Sequence, residues 1–281
     1  MTDTPTSPPD KKQRELVLRI ASGIPALAAL LSLIAFAPWQ GVAIIVLLAC
    51  LLGMVEYQRL MAKINGYHML TVHLIGVFLI CGGAYLAGVA GLQAMLGVAV
   101  LVEFVWLLPR GNDDARMRAI ANGVFGLVWI PWSFGHLILI LQRPDGSRLL
   151  LFLVLVLTFN DSLAYFTGKF LGRHKLMPGV SPNKTIEGSL GGIVGGVIGG
   201  WVAVIWLLPP HFGWELPAML GMSILLAVVG QVGDLVESML KRAAGVKDSG
   251  RFLPGHGGFL DRLDVFLLTP PFMYYYLWFV L

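Results

Sequence analysis

Long apolar segments separated by short polar ones fill most of this 281-residue chain. Because a helix needs about 20 apolar residues to cross the hydrocarbon core of a bilayer, each long run predicts a membrane-spanning helix. The pattern predicts nine spans, at residues 17–37, 40–57, 69–90, 92–109, 119–141, 149–168, 188–209, 217–240 and 263–281. We therefore expect an all-α, polytopic integral membrane protein.

The composition supports this interpretation. Hydrophobic residues make up 57% of the chain and charged residues 13%, and that charged share is about half the usual one for a soluble domain. Such a chain has too little polar surface for a water-soluble globule. The two cysteines, Cys50 and Cys81, lie inside apolar runs, which excludes a disulfide framework or a cysteine-based zinc site.

Basic residues fall almost entirely on one side of the predicted membrane topology. If the N-terminus is cytoplasmic, 18 of the 20 lysine and arginine residues lie in cytoplasmic segments, and only Arg143 and Arg148 lie outside. The positive-inside rule then predicts a cytoplasmic N-terminus and, after nine spans, a C-terminus on the opposite side. The net charge of +4 thus indicates orientation in a lipid bilayer and no nucleic-acid partner.

The chain divides into three predicted regions. Residues 1–16 form a polar, disordered tail, residues 17–141 a transmembrane scaffold of spans 1–5, and residues 142–281 a catalytic region of spans 6–9 with motif loops. In the scaffold, we interpret Glu56 as a solvated or paired interfacial carboxylate. Glu103 lies deeper and is able to pair with a neighbouring helix, and no role follows for it.

The catalytic region begins with a polar helix face and a capped helix. Asp161 shares one face with the residues four and seven positions later, which predicts a cleft lined by protein. Ser181 followed by Pro182 predicts an N-cap and a first helical residue. Lys184 beside that helix start predicts an anion site, and the glycines that follow predict close helix packing.

The densest polar region lies at the end of the eighth predicted span and the start of the ninth. Asp234, Glu237, Ser238 and Lys241 recur at helical spacing on one stripe, and Asp261 and Asp264 are three residues apart. Carboxylates this close repel each other unless a cation lies between them. Asp234, Asp261 and Asp264 are therefore well placed to bind a metal, and an all-oxygen ligand set favours Mg²⁺ or Mn²⁺.

Several cations surround these acids, which suits a polyphosphate substrate. They are Lys241, Arg242, Lys247, Arg251 and Arg262. Acids for a metal and bases for phosphate together indicate phosphoryl or nucleotidyl transfer.

The run from Ser238 to Asp264, S-M-L-K-R-A-A-G-V-K-D-S-G-R-F-L-P-G-H-G-G-F-L-D-R-L-D, resembles the signature of the phosphatidate cytidylyltransferase, or CDP-diacylglycerol synthase, family. The segment from Asp161 to Gly168 and the segment S-P-N-K-T-I-E-G are similar to the family's other cytoplasmic motifs. One position departs from the pattern, because Asn183 stands where the family commonly has a basic residue.

The resemblance implies that CTP and phosphatidate react to give CDP-diacylglycerol and pyrophosphate for phospholipid biosynthesis. It also implies that the reaction needs Mg²⁺ or Mn²⁺, and a second cation is a further expectation. It implies multi-pass location in the cell inner (cytoplasmic) membrane, an active site facing the cytoplasm, and a homodimer. Acyl chains are expected to approach laterally between spans six to nine. The implied catalytic residues are Asp234, Lys241, Asp261 and Asp264, the three aspartates holding the metal; the implied substrate-binding residues are Asp161, Ser181, Lys184, Ser238, Arg242, Lys247, Asp248, His256 and Arg262.

Two other functions fit parts of the pattern. A transporter would use intramembrane acids, but transporters concentrate such residues near the bilayer midplane, and here they lie at helix ends. A CTP-dependent lipid kinase shares the need for a cation and a nucleotide, and it would release CDP where the transferase releases pyrophosphate.

Overall fold

The computed structural model describes residues 28–29, 31–65, 69–110, 113–207, 215–250 and 257–280. Its helices are α1 Trp39–Asn65, α2 Leu70–Leu107, α3 Asp113–Leu127, α4 Ser133–Leu141, α5 Gly146–Leu171, α6 Ile186–Trp206, α7 Leu216–Ala243, α8 Leu260–Leu263 and α9 Thr269–Phe279. A π-helical turn, Val128–Trp132, joins α3 to α4, and a 3₁₀ turn, Asp264–Phe266, follows α8. Two short strands, β1 Lys175–Met177 and β2 Ser181–Thr185, lie between α5 and α6.

The expected all-α membrane architecture is confirmed. Within the described residues, six helical stretches are long and apolar enough to cross a bilayer: Trp39–Ile64, Leu70–Leu107, Asp114–Leu141, Gly146–Leu171, Ile186–Trp206 and Leu216–Ala243. The predicted tail at 1–16 and most of the predicted first span lie outside the described residues.

Helix α2 is a hairpin of two helical arms. Ala87 and Gly88 leave the helical conformation, and Gly88 has a φ of +63°, which glycine adopts without a steric penalty. A Cβ added to Gly83 would lie 2.5 Å from the carbonyl oxygen of Gly91, although eight residues of straight helix span about 12 Å. The chain therefore reverses here, and the two arms correspond to the predicted spans 69–90 and 92–109.

The segment predicted as the ninth span is broken, so the prediction of one continuous helix over 263–281 is wrong. Asp264 opens a 3₁₀ turn, and α9 begins only at Thr269, with proline in its first turn. Its 11 residues extend about 16 Å, roughly half the thickness of a bilayer core. Pro270 and Pro271 explain the break, because proline lacks the N–H that a helix interior requires but fits the first helical turn.

Helix α4 lies at the centre of the molecule. All of its nine residues are buried, and it packs against α1, α2, α5 and α9. It therefore joins the predicted scaffold to the predicted catalytic region, and the two share one hydrophobic core.

Helices α5 and α6 pack with their backbones in contact, as the glycine pattern predicts. A Cβ added to Gly199 would lie 2.7 Å from the carbonyl oxygen of Leu155, and one added to Gly195 would overlap the carbonyl oxygen of Phe159. Any larger residue would force the helices apart. The pair forms a rigid wall that ends at the polar residues of the site.

The start of α6 differs from its prediction. Ser181 is not an N-cap but the first residue of β2, which pairs antiparallel with β1. The helix begins at Ile186, and the Thr185 side chain caps it by accepting a hydrogen bond of 3.1 Å from the backbone N–H of Gly188. Threonine supplies the same hydroxyl acceptor as serine, and Pro182 is tolerated because a two-stranded sheet has only edge strands.

Candidate active site

A cleft of about 450 Å³ opens between α5, the β hairpin, α6 and α7. Its lining residues are Asp161, Ala164, Tyr165, Gly168, Lys169, Leu176, Asn183, Lys184, Thr185, Gly188, Ser189, Gln231 and Asp234. The polar face predicted on the sixth span therefore does line a cleft. The structure also brings Asp161, Lys184 and Asp234 together there from three separate elements.

A hydrogen-bonded network that the sequence analysis did not single out supports the cleft. Gln231 Nε2 donates to Asn160 Oδ1 at 2.9 Å and to the carbonyl oxygen of Ser189 at 3.0 Å. Asn160 Nδ2 in turn donates to Asp161 Oδ1 at 3.0 Å. The available sequence signal was Gln231 itself, a polar residue three positions before Asp234 and on the same helix face.

Lys184 forms an ion pair with Asp234 across the cleft. Both side chains are partly exposed, the ammonium at 26% and the carboxylate at 32%, so a ligand in the cleft can reach them. Asn183 lines the same cleft. The predicted anion-binding lysine thus lies in the cleft, and in this structure its charge is balanced by an aspartate.

Three acids converge beside the cleft. Asp234, Glu237 and Asp264 each offer a carboxylate oxygen, and these oxygens lie within 4.8 Å of one another. Glu237 is fully buried, and neither of its oxygens has a hydrogen-bond partner in the described part of the chain, although Lys241 Nζ lies 2.5 Å from Oε2. Three carboxylate oxygens this close together fit a hard divalent cation such as Mg²⁺ or Mn²⁺.

Helix α7 fixes the position of Asp264. A Cβ added to Gly233 would lie 2.6 Å from the carbonyl oxygen of Asp264, so the 3₁₀ turn rests directly on the α7 backbone. The backbone N–H of Val265 donates to Asp264 Oδ1 at 2.8 Å. Burial raises the pKa of Asp264, and the negative charge of Asp234 raises it further. A bound cation would favour the ionised form.

Asp261 makes a different set of contacts. Its Oδ1 lies 2.7 Å from Lys241 Nζ, and its Oδ2 accepts from the backbone N–H groups of Gly258 at 2.7 Å and Ser249 at 3.0 Å. Burial alone would raise the pKa of Asp261, but the ammonium group of Lys241 and the backbone N–H of Gly258 lower it. Asp261 is therefore held as an ionised partner of Lys241.

The structure thus gathers two of the three predicted metal ligands, Asp234 and Asp264, and adds Glu237. Asp261 is outside that group and one lysine away from it, so its role as a ligand stays a prediction. The sequence did show Glu237 on the same stripe as Asp234. It could not show that the Asp261 carboxylate is occupied by backbone N–H groups.

Ser238 and Arg242 lie beside this centre. Ser238 Oγ lies 3.5 Å from Asp234 Oδ1, and Arg242 Nε donates to the carbonyl oxygen of Val180 at 3.4 Å, which ties α7 to the β hairpin. Four of the predicted substrate-binding side chains are exposed, those of Arg242, Lys247, Asp248 and Arg262. Ser181 is partly buried at the start of β2, and His256 lies outside the described residues.

The sequence resembles known proteins along nearly its whole length. The Cytidylyltransferase family matches residues 17–280. A phosphatidate cytidylyltransferase of Staphylococcus saprophyticus is 32% identical over 258 residues, which cover 88% of this chain and 95% of that protein.

Two shorter alignments have higher identity. The phosphatidate cytidylyltransferase of Staphylococcus haemolyticus is 43% identical over 141 residues, 50% of this chain and 53% of that protein. That of Staphylococcus aureus is 44% identical over 131 residues, 47% of this chain and 49% of that protein. In these two alignments the chain spans about half the length of its relatives. The match over residues 17–280 and the alignment with the Staphylococcus saprophyticus protein show that this chain belongs to the Cytidylyltransferase family.

Proposed function

We propose that this protein transfers the cytidylyl group of CTP to phosphatidate and releases pyrophosphate, making CDP-diacylglycerol for phospholipid biosynthesis. The observation that carries the proposal is the convergence of Asp234, Glu237 and Asp264 beside a cleft that also presents Lys184. The substrates are inferred from the name of the relatives, phosphatidate cytidylyltransferase. The geometry supplies the two things that nucleotidyl transfer needs, a place for a cation and positive charge for phosphates.

In the proposed reaction, a phosphate oxygen of phosphatidate attacks the α-phosphorus of CTP. The bond from that phosphorus to the oxygen bridging it to the β-phosphorus breaks, and pyrophosphate leaves with the electron pair. The attacking phosphate is already largely ionised near neutral pH, because its second pKa is about 6, so no general base is required. The protein contributes positioning and electrostatic stabilisation.

Each part of the site has a role in this step. Asp234, Glu237 and Asp264 would hold Mg²⁺ or Mn²⁺, whose charge would offset that of the phosphates. Lys184 and Lys241 present ammonium groups on either side of these acids. The exposed cations Arg242 and Lys247 would suit the headgroup of a lipid or the end of a triphosphate. A second cation remains part of the proposal, with Asp261 as its candidate ligand.

The proposed orientation places this site at the cytoplasmic face of the cell inner membrane. The structure supports it because the basic ends of α5 and α7 meet at the site, whereas Arg143 and Arg148 lie at the opposite end of α5. Introduced cysteines test this with a membrane-impermeant maleimide, since Cys50 and Cys81 are buried. K247C should react only from the cytoplasmic side and R148C only from the outside.

The proposed topology also places the N-terminus in the cytoplasm and the C-terminus opposite. A cysteine appended to the chain after Leu281 would report the latter in the same vesicles. We further propose a homodimer, which a mass measurement of the purified protein in detergent would test.

The decisive experiment follows the label of radioactive CTP. Purified protein is incubated with Mg²⁺, phosphatidate and CTP labelled at either the α- or the γ-phosphorus. Nucleotidyl transfer puts the α-label into the lipid and the γ-label into pyrophosphate. A lipid kinase would put the γ-label into the lipid, and a transporter would leave both labels in CTP. Either of the last two results would contradict the proposed function.

A further inference from the structure

Glu56, in the predicted scaffold, contacts the catalytic region directly. Its side chain is 5% exposed, so of the two alternatives, a solvated or a paired carboxylate, the solvated one is wrong. Oε2 accepts a hydrogen bond of 2.9 Å from Ser249 Oγ and one of 2.8 Å from the backbone N–H of Leu260. Ser249 lies in the connection that follows α7, and Leu260 is the first residue of α8. A residue of α1 therefore holds a segment that lies about 200 positions later in the chain.

The segment is shaped around this carboxylate. A Cβ added to Gly258 would lie 2.6 Å from Glu56 Oε2, and one added to Gly250 would overlap Oε1. A side chain at either position would therefore displace the Glu56 carboxyl group. The fit indicates a built contact and not an incidental one.

Hydrogen bonds continue from this contact to the metal-binding acids. The backbone N–H of Ser249 donates to Asp261 Oδ2 at 3.0 Å, and Ser249 Oγ accepts from the backbone N–H of Asp261 at 3.3 Å. Asp261 Oδ1 lies 2.7 Å from Lys241 Nζ, which lies 2.5 Å from Glu237 Oε2. An unbroken series of contacts therefore connects Glu56 to Glu237.

We propose that Glu56 is a positioning residue for cytidylyl transfer. Through Ser249 it fixes Asp261, and through Asp261 it fixes the ammonium group of Lys241 beside the acids that bind the cation. Glu56 touches no reacting group itself. The inference rests on the proposed function, and it makes the first half of the chain a part of the active site. Displacing a catalytic group by about 1 Å costs on the order of 100-fold in rate.

The test compares Glu56→Gln, Ser249→Ala and the double variant with Glu103→Gln, which alters another buried carboxylate of the same scaffold. Glu56→Gln replaces the carboxylate oxygen that accepts both hydrogen bonds by a neutral amide oxygen and so weakens both, and kcat should fall on the order of 10-fold with little change in KM for CTP. The double variant should lose no more than the single ones, because both break one series of contacts. Glu103→Gln should keep the wild-type kcat.

A second measurement needs no turnover. In the protein without nucleotide or cation, backbone amides of Ser249, Leu260 and Asp261 should exchange hydrogen faster in Glu56→Gln than in wild type or Glu103→Gln. Unchanged exchange, a normal kcat in Glu56→Gln, or losses that multiply in the double variant would overturn the proposal. Wild-type protein that forms no CDP-diacylglycerol would instead overturn the proposed function, while the exchange result would still judge the contact.

Discussion

Two groups of acids in this protein differ in the number of acids and in the space around them. Glu103, in the α2 hairpin, is fully buried and lies 3.7 Å from the equally buried His73, so one acid faces one base. Asp234, Glu237 and Asp264 instead share one small space beside an open cleft. Burial of an acid inside a membrane protein therefore does not by itself mark a site. Three acids that share one space and outnumber the lysines paired with them, Lys184 and Lys241, do indicate one, because a bound cation would relieve their repulsion.

The largest effect should come from neutralising one acid of the site. Asp264→Asn should lower CDP-diacylglycerol formation on the order of 10³-fold, because a ligand to the cation is lost. In the absence of Mg²⁺ its melting temperature should equal or exceed that of wild type, since a repulsive charge is removed. Asp145→Asn, at the far end of α5, is the control and should keep full activity. Near-normal Mg²⁺-dependent turnover in Asp264→Asn would show that the cation site is misassigned.

Removing the cation that faces Asp234 should have a smaller effect. Lys184→Met should raise KM for CTP or for phosphatidate about 10- to 100-fold, the value of one charge-assisted hydrogen bond. Which KM changes identifies the phosphate that Lys184 binds. Lys63→Met, an exposed lysine at the end of α1, should leave both KM values unchanged. If Lys184→Met changes neither KM nor kcat, the lysine serves only to balance Asp234.

The response to pH should separate the site from the rest of the molecule. Because burial and Asp234 raise the pKa of Asp264, a proton competes with the cation well above the ordinary carboxyl pKa of about 3.9. The Mg²⁺ concentration for half-maximal activity should rise about tenfold for each unit that the pH falls below that pKa. Titrations of Mg²⁺ at several pH values measure this, and Asp264→Asn should show a flatter dependence.

The sign of the stability change follows from the same shift. Without a cation, the folded protein binds the Asp264 proton more tightly than the unfolded chain does. Its free energy of unfolding should therefore decrease as the pH rises from the ordinary carboxyl pKa to the raised one. Mg²⁺ should offset that loss, and a melting temperature that increases with pH in EDTA would contradict the shift.

The smallest effect on activity should come from the paired acid of the scaffold. Glu103→Gln should change kcat less than about twofold and the free energy of unfolding by less than about 1 kcal/mol, because an amide of nearly the same shape replaces the carboxyl group beside His73. Thermal unfolding in detergent measures the second quantity. A large loss of activity in well-folded Glu103→Gln would show that the two groups of acids are coupled.

Hydrophobic runs were sufficient to predict most of the helices, because a long apolar segment in a bilayer satisfies its backbone hydrogen bonds by forming a helix. The hairpin arms of α2 and the close α5–α6 contact followed from length and from glycine spacing. The continuous last span did not, because a proline pair within an apolar run was interpreted by hydropathy alone. At the start of α6, two residues offered the same hydroxyl cap, and only the strand pairing decides between Ser181 and Thr185.

The candidate site was predictable where its residues share one helix. Asp234 and Glu237 are three positions apart, so their common face is visible in the sequence. The hydrogen bonds that the Asp261 carboxylate accepts are not visible there, since they depend on the directions of the backbone N–H groups of Gly258 and Ser249. The contact from Glu56 could not be predicted either, because it joins residues 193 positions apart.

An acyl chain cannot pass between α5 and α6, since Gly195 and Gly199 bring their backbones together. Lateral approach of the lipid through that seam, one of those expected among spans six to nine, is therefore closed. In the proposed reaction, the diacyl tails of phosphatidate would therefore lie outside the α5–α6 seam while the headgroup enters the cleft. With the α5–α6 seam closed, the lipid substrate and the lipid product of the proposed reaction would both use the remaining openings of the cleft.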